Sequence, residues 1–133
     1  MKKDIEFPKV EHVGVCAVPD NVEGMEMWRV HLINQLDTRI EKILVNSRGY
    51  GKKGKEMVKT SALKHFYEFI DAKSEREIEM IPKDLTGLNN QYWVSYYVGN
   101  KLFDKKFIFV PESLIDENMI ELPILNKKGI LII

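Results

Sequence analysis

The sequence has one cysteine, no excess of charge of either sign and no apolar run long enough to cross a bilayer. Cys16 is the only cysteine among 133 residues, which excludes an internal disulfide and a cluster of thiolate metal ligands. Twenty basic residues balance twenty acidic residues, so the general electrostatic attraction to nucleic acid or to an anionic membrane is missing. Nucleic acid would need a local patch and is not favoured, and we expect no membrane partner.

Size and composition are otherwise those of an ordinary globular domain. With 133 residues, of which 44% are hydrophobic and 30% charged, the chain can bury a core without disulfides or metal. We expect one domain over residues 1–133, with an N-terminal tail at 1–9 and a C-terminal extension at 111–133. No apolar block follows Lys2 and Lys3, so we expect no secretory signal peptide and a cytoplasmic location.

The most informative stretch is a predicted β-hairpin at residues 91–110. Two runs of aromatic and β-branched residues flank Gly99 and Asn100, a pair that tolerates the positive φ of a two-residue turn. With this turn, Tyr97 faces Leu102 across the two strands. Alternation must send one face of the first strand into the core, but the pattern leaves open which face that is.

Other segments have the alternation or the β-branched content of strands, and they lie at residues 10–18, 28–33, 40–47 and 75–81. We predict that Pro19, Asp20 and Asn21 end the first of these strands in a turn. The second and third are predicted to form an antiparallel pair because a short polar connection joins them. The fourth is rich in charge, with Ile78 and Met80 on opposite faces, which suits an exposed face or a sheet edge.

Residues 60–71 fit both a helix and a strand. Leu63, Phe66 and Ile70 recur with helical spacing, whereas Leu63 and Tyr67 fall on one face of a strand. We favour the strand, because a lone helix here would interrupt an otherwise continuous order of strands.

A second hairpin is predicted at the C-terminus. Two apolar segments, at residues 120–125 and 130–133, flank a polar loop at 126–129 that ends in Gly129. An apolar strand at this position needs a cover, either from the same sheet or from another subunit. We therefore hypothesise a homo-oligomer that forms through the C-terminal strand.

The strongest functional lead is a basic, glycine-rich stretch at residues 48–55. Its backbone N–H groups suit a phosphate, and its tyrosine suits a stacked base. It is not a P-loop, because Glu56 stands where a Ser or Thr would bind Mg²⁺. We predict a solvated loop between strands, and the candidate ligand or partner surface consists of Arg48, Tyr50, Lys52, Lys53 and Lys55.

No motif indicates catalysis, a metal or another cofactor. The histidines His12, His31 and His65 do not occur in pairs at i, i+2 or i, i+4, so no preformed metal site is expected. The chain has no Gly-x-Ser-x-Gly elbow. The segment around Cys16 supplies no positive neighbour that would activate a thiolate, so we expect Cys16 to be a buried apolar side chain.

Two further groups of residues have both a functional and a structural interpretation. The side chains of Glu75, Glu77 and Glu79 share one face of a predicted strand, where a row of like charges indicates solvent more than acid–base chemistry. The aromatic residues of the predicted hairpin are either a ligand platform or core. Core packing is favoured, because alternation alone sends half of them inward.

A resemblance to a fold family comes from the residues before this hairpin. Leu88 followed by Tyr92, with Leu85 nearby, resembles the tyrosine corner that opens the penultimate strand of immunoglobulin-like and fibronectin-type sandwiches. The resemblance covers about a tenth of the chain. It implies an all-β fold, an immunoglobulin-like antiparallel β-sandwich with an extra C-terminal hairpin.

A second resemblance covers most of the chain. The segments at residues 28–34, 45–51 and 92–97 resemble a small bacterial family of single-domain proteins without an assigned activity, some of which carry a phenylalanyl-tRNA synthetase subunit label. The chain contains no segment that matches the strand-and-arginine motifs with which such a synthetase holds ATP. The resemblance therefore implies a family and no reaction.

These observations favour a non-enzymatic cytoplasmic protein-interaction module with a protein partner. One alternative is an RNA-binding or translation-associated protein that uses the basic stretch at residues 48–55. Another alternative is a small enzyme without a recognisable motif. The last alternative predicts a concave pocket that holds a titratable residue with a shifted pKa.

Overall fold

The structure, a computed structural model, describes residues 8–133, and its regular elements are ten β-strands and two short 3₁₀ turns at Lys83–Leu85 and Asp116–Asn118. The strands are β1 (Val13–Val22), β2 (Met25–Asn34), β3 (Ile40–Lys53), β4 (Glu56–Lys59), β5 (Leu63–Ile70), β6 (Ser74–Pro82), β7 (Asn89–Val98), β8 (Lys101–Phe109), β9 (Ile120–Glu121) and β10 (Lys128–Ile132). None of the helical turns in this described part of the chain has the length and apolar character to cross a bilayer.

Two antiparallel five-stranded sheets pack face to face as a β-sandwich. Sheet A has the strand order β6-β2-β1-β10-β9. Sheet B has the order β4-β3-β7-β8, and β5 pairs with the first half of β3 on the edge that β4 occupies further along. The all-β sandwich predicted from the sequence is therefore confirmed.

The core lies between the two sheets and is built from alternate residues of their strands. Val15, Val30 and Leu32 of sheet A are fully buried, as are Val45 and Val94 of sheet B. Alternation alone cannot choose between the two faces of a strand, but the second sheet decides the matter here, because only one face of each sheet meets the other.

The hairpin of β7 and β8 has the predicted register. Tyr97 lies opposite Leu102, and the turn residue Gly99 has φ +59°. The face left open by the sequence is now assigned: Tyr92 is 2% exposed and faces the core, whereas Trp93 is 40% exposed and faces outward.

Two further predictions are confirmed. The ambiguous segment at residues 60–71 forms the strand β5, which pairs with β3. The charged segment at residues 75–81 forms β6 at the edge of sheet A, with Ile78 buried and Met80 exposed.

The end of the first strand was predicted wrongly. Pro19, Asp20 and Asn21 do not form a turn, because β1 continues through them to Val22 and the chain turns at Glu23 and Gly24. Pro19 lies opposite Trp28 within the ladder of β1 and β2. Residues with a high turn propensity are tolerated here because side chains at this end of β1 are exposed and leave the core packing unchanged.

The predicted antiparallel pair of residues 28–33 and 40–47 is also wrong. The two segments belong to β2 in sheet A and β3 in sheet B, so their short connection crosses from one sheet to the other. Asn34 stabilises this crossing, because its side-chain amide donates hydrogen bonds to the backbone oxygens of Thr38, Ile70 and Asp71.

The predicted loop at residues 48–55 is mostly strand. Residues 48–53 belong to the long strand β3, and only Gly54 and Lys55 form a turn, which leads into β4. The ladder with β4 and β7 supplies backbone partners on both edges of β3 at Tyr50, which offsets the poor strand propensity of the flanking glycines.

The C-terminal hairpin exists with a different loop. Glu121 pairs with Lys128, so residues 122–127 form the connection and the predicted loop at 126–129 is wrong. The strand β10 pairs with β1 inside sheet A, and its cover therefore comes from its own chain. Association of two copies through this strand stays a prediction.

Candidate functional site

The outward-facing sides of the two sheets differ in how much of them the chain itself covers. On sheet A, Cys16, Val18 and Ile33 are buried beneath Leu122, with Ile124, Leu125 and Leu131 packed beside them. On sheet B, large apolar side chains remain in solvent: Leu44 is 36% exposed, Phe66 63%, Phe69 43% and Trp93 40%. Contiguous exposed apolar surface of this kind is typical of interaction sites.

Strand register places these side chains on one surface, which we call the outer face of sheet B. Glu41 of β3 lies between Phe69 of β5 and Tyr97 of β7. The next rows centre on Leu44, between Phe66 and Ser95, and on Asn46, between Lys64 and Trp93. Residues directly opposite each other in an antiparallel ladder share a face, so the aromatic side chains form a continuous strip.

The rows towards the β3–β4 turn carry cationic residues. Arg48 and Tyr50 alternate outward on β3, and Lys59 of β4 pairs with Tyr50. Lys52 follows Tyr50 at the next outward position of β3. Lys106 of β8 lies opposite Trp93, so it belongs to the same face.

Two of these cations lie over aromatic rings of the face. The Nζ of Lys106 is 4.4 Å from the ring centroid of Trp93, and the Cζ of Arg48 is 5.5 Å from that of Tyr50. The indole Nε1 of Trp93 donates hydrogen bonds of 2.9 Å to both carboxylate oxygens of Asp104. These contacts hold the ring of Trp93 in one orientation although it is exposed.

The structure brings together only part of the candidate surface predicted from the sequence. Arg48, Tyr50 and Lys52 occupy alternate positions of β3 and lie on the outer face of sheet B. Lys53 occupies the opposite parity of the strand, and Lys55 lies in the turn. A loop would have left these five residues without a common direction, whereas the strand orders three of them.

A second candidate site lies at the open side of the sandwich, between the edge strands β5 and β6. A cleft of about 230 Å³ is present there, and its walls include Ser47, Thr60, Glu79, Asn90 and Tyr92. Ser47 Oγ donates a hydrogen bond to Glu79 Oε2, and His65 Nε2 is 2.5 Å from the same oxygen. The side chain of Glu79 is only 16% exposed.

The pKa of Tyr92 is strongly raised in this cleft. Burial is the main cause, followed by the negative charge of Glu79 and a hydrogen bond to it. Tyr92 therefore stays protonated and donates to the carboxylate. The hydroxyl faces a side chain of β6, whereas the hydroxyl of a tyrosine corner bonds to upstream backbone.

Sequence reasoning missed this cluster because of a β-bulge. The register between β2 and β6 shifts between Val30, opposite Glu79, and His31, opposite Glu77, so Ile78 is an extra residue. A bulge breaks the period of two, which turns Glu79 inward while Glu77 faces outward. The prediction that Glu75, Glu77 and Glu79 share one face is therefore wrong. The one available signal was the expected placement of Ile78 and Met80 on opposite faces, because strict alternation puts residues two positions apart on the same face.

The arrangement in the cleft differs from a catalytic triad. In a triad the histidine lies between the nucleophile and the acid, whereas Ser47 and His65 here both contact Glu79. Among the described residues, the carboxylate of Glu79 accepts the hydroxyl hydrogen of Ser47, and no hydrogen bond joins Ser47 to His65. Among residues 8–133, no buried side-chain nitrogen or oxygen lacks a hydrogen-bond partner, which is typical of a structural polar network.

The described residues offer neither a reactive thiol nor a metal site. Cys16 is fully buried, as predicted, and burial together with the charge of Glu75 raises the pKa of its thiol to about 12. Such a thiol is not a nucleophile near neutral pH. Within residues 8–133, no three His, Cys, Asp or Glu side chains converge in a geometry that holds a metal ion.

Comparison of the chain with protein-family models, with curated proteins and with solved structures found no match.

Proposed function

We propose that this protein is a non-enzymatic binding module that holds a macromolecular partner on the outer face of sheet B. The observation that carries the proposal is the exposure of Leu44, Phe66, Phe69 and Trp93 on one continuous face. Sheet A buries Cys16, Val18 and Ile33 beneath residues 122–125 of the same chain, whereas the four apolar side chains of sheet B stay exposed in the described part of the chain.

The chemistry of the cleft supports a binding function over an enzymatic one. Ser47, His65 and Tyr92 all direct their polar atoms to Glu79, so the reactive groups already satisfy one another. Among residues 8–133, every buried side-chain nitrogen or oxygen has a hydrogen-bond partner, which is typical of a structural polar network.

The immunoglobulin-like topology expected from the sequence is part of the proposal. The order β1-β2-β6 in one sheet and β3-β7-β8 in the other matches strands A, B and E and strands C, F and G of such a sandwich. The pairing of β10 with β1 is additional to that order. Sandwiches of this kind commonly use a sheet face or an end loop for binding, although a fold by itself does not define a function.

Two partner classes are each favoured by one half of the face. A protein, the partner class favoured by the sequence analysis, suits the apolar rows that contain Phe66, Phe69 and Leu44. A nucleic acid suits the rows that contain Arg48 and Lys59. A cytoplasmic location, as expected from the sequence, is compatible with both.

Hydroxyl-radical footprinting in a lysate of the source cells tests the proposal without assuming the partner. We expect Phe66, Phe69 and Trp93 to be labelled in buffer and protected in the lysate. Met25 is 61% exposed at the end of sheet A and is the matched control, whose labelling should stay unchanged. Equal labelling of all four residues in both conditions would overturn the proposal.

Enzymatic treatment of the lysate then identifies the class of partner. Protection that protease removes and nuclease leaves indicates a protein partner. Protection that nuclease removes indicates a nucleic acid. The replacement Phe66→Ser is the matching variant: it should weaken protection by a protein while the free energy of unfolding stays within about 0.5 kcal/mol, because Phe66 is 63% exposed.

A further inference from the structure

The outer face of sheet B consists of two halves with different chemistry. The apolar half contains Phe66, Phe69 and Leu44, together with the carboxylates Glu41 and Asp104. The other half, which we call the basic half, comprises the rows of β3 from Asn46 to Lys52. Its cations are Arg48, Lys52, Lys59, Lys64 and Lys106, and its aromatic residues are Tyr50 and Trp93.

We propose that the basic half binds single-stranded nucleic acid, with the phosphates held by its cations and bases stacked on Trp93 and Tyr50. The inference rests on the proposed function, because it names the partner of the same face. Three properties of the basic half carry it: its charge, the spacing of its aromatic rings and the position of its cations relative to those rings.

The charge of the basic half differs sharply from that of the whole chain. Lys64 and Lys106 are the two ends of the Asn46 row. Further cations follow along β3 and β4, namely Arg48, Lys59 and Lys52. No Asp or Glu occupies a register position in these four rows of the described strands. In a chain whose net charge is zero, this concentration provides the local patch that a polyanion requires.

The two aromatic rings of the basic half are too far apart for one small ligand and suit a chain. Trp93 pairs with Asn46, and Tyr50 follows Asn46 by four residues on the neighbouring strand. Strand geometry puts the two positions about 14 Å apart, from about 13 Å along the strand and about 5 Å across it. An extended oligonucleotide reaches both rings, and the cations between them lie along its backbone.

The cations are placed where a phosphate can draw them away from the rings. Lys106 lies over Trp93 and Arg48 lies near Tyr50 in the free protein. A phosphate that pairs with either cation uncovers the ring for a base, so one cation–π contact is exchanged for a base stack and an ion pair. Asp104 holds the indole of Trp93 in place during this exchange.

This geometry favours single strands over duplexes. Bases expose their faces for stacking on aromatic side chains only when they are unpaired. A duplex would offer phosphates to the lysines but no base to Trp93 or Tyr50. Discrimination between the two forms therefore separates the proposed mode from general attraction of a polyanion.

The test uses the full chain and fluorescein-labelled oligonucleotides of about twelve residues, RNA and DNA, each as a single strand and as a duplex. Anisotropy should show tighter binding of the single strand, and tryptophan fluorescence should be quenched on binding. Quenching should be lost in Trp93→Phe, because Trp28, the other tryptophan, is buried. If all five cations contact phosphates, binding weakens about 100-fold between about 50 and about 200 mM salt.

A matched pair of double variants assigns the site. Lys59→Gln with Lys106→Gln removes two cations of the basic half, so the loss over the same salt range should drop to about 20-fold. Lys127→Gln with Lys128→Gln removes the same charge from exposed positions beside sheet A and should leave affinity and salt dependence unchanged. Circular dichroism confirms that both variants keep their strands.

Each outcome of the test decides the matter. The inference is supported if the protein prefers the single strand, if binding quenches Trp93 and if only the first double variant loses affinity. Absence of binding at about 50 mM salt overturns it, as does equal affinity for duplex or equal loss in both double variants. In that case, footprint protection that only protease removes would still support a binding module with a protein partner. Absence of any footprint protection would overturn both proposals.

Discussion

His65 of β5 and Glu79 of β6 connect the edges of the two sheets, with 2.5 Å between Nε2 and Oε2. Each residue belongs to a different sheet, so their contact bridges the open side of the sandwich. The bulge at Ile78 directs the side chain of Glu79 towards this open side. The β-bulge in β6 therefore makes possible a contact that joins the edges of the two sheets.

Replacement of Glu79 by glutamine should destabilise the fold. The variant loses the charge that accepts hydrogen bonds from Ser47 and Tyr92, so we expect the free energy of unfolding to fall by about 2 kcal/mol. Urea denaturation measures it. The control is Glu77→Gln on the same strand, where an exposed pair with Arg29 is removed and the loss should stay below about 1 kcal/mol. Equal losses in the two variants would contradict a structural role for the contacts of Glu79 between the two sheets.

Stability should decrease in alkaline solution through the buried tyrosines. Burial raises the pKa of Tyr96 to about 12 in the folded state, against 10.0 for the free side chain. The unfolded chain then loses its proton first, so the contribution is complete below pH 10 and is lost as the pH rises through about 12. Urea midpoints measured from about pH 9 to about pH 11 should fall less steeply for Tyr96→Phe than for the parent. Parallel curves would contradict the raised pKa.

Opening the cover of sheet A should expose Cys16. Leu122 is 3% exposed and packs in the small cluster that contains Cys16, so Leu122→Ala should cost about 3 kcal/mol and speed the reaction of the thiol with a disulfide reagent. Ile120→Ala is the control, because Ile120 is 49% exposed and its truncation leaves the cluster closed. Unchanged thiol reactivity in Leu122→Ala would mean that residues 122–125 do not protect Cys16.

A methyl group at Gly129 should disturb the pairing of β10 with β1. An added Cβ would lie 2.5 Å from the backbone oxygen of Ala17 and 2.6 Å from Leu122 Cδ1, so Gly129→Ala forces the strands apart. We expect a loss of about 2 kcal/mol in the free energy of unfolding, measured in urea. The control Gly87→Ala meets only the flexible side chain of Glu112 and should be tolerated. Full stability of Gly129→Ala would argue that β10 does not depend on this close approach.

Local sequence patterns were sufficient for much of the fold. Gly99 and Asn100 permit a two-residue turn, which by itself determines the register of β7 and β8. Period-two alternation identified β2, and the aromatic content of residues 63–70 correctly favoured a strand. These features depend on interactions between residues close in the chain, which a single sequence contains.

The candidate site was predictable only in part. Arg48, Tyr50 and Lys52 were identified as a basic group, but their shared direction follows from pairing of β3 with β4 and β7. Trp93 and Lys106 join them from the following hairpin, more than forty residues away in the chain. No local signal indicates which face of β7 is outward.

The sequence by itself determined the all-β class, the hairpin register and the burial of Cys16, because turn chemistry and alternation act over a few residues. The tertiary structure alone decided that β2 and β3 belong to different sheets, that Glu79 turns inward and that β10 lies beside β1. Those outcomes depend on long-range pairing and on a bulge, whose energies come from contacts between residues far apart in the chain. The same contacts leave one face of sheet B open, and we propose that a partner binds on that face.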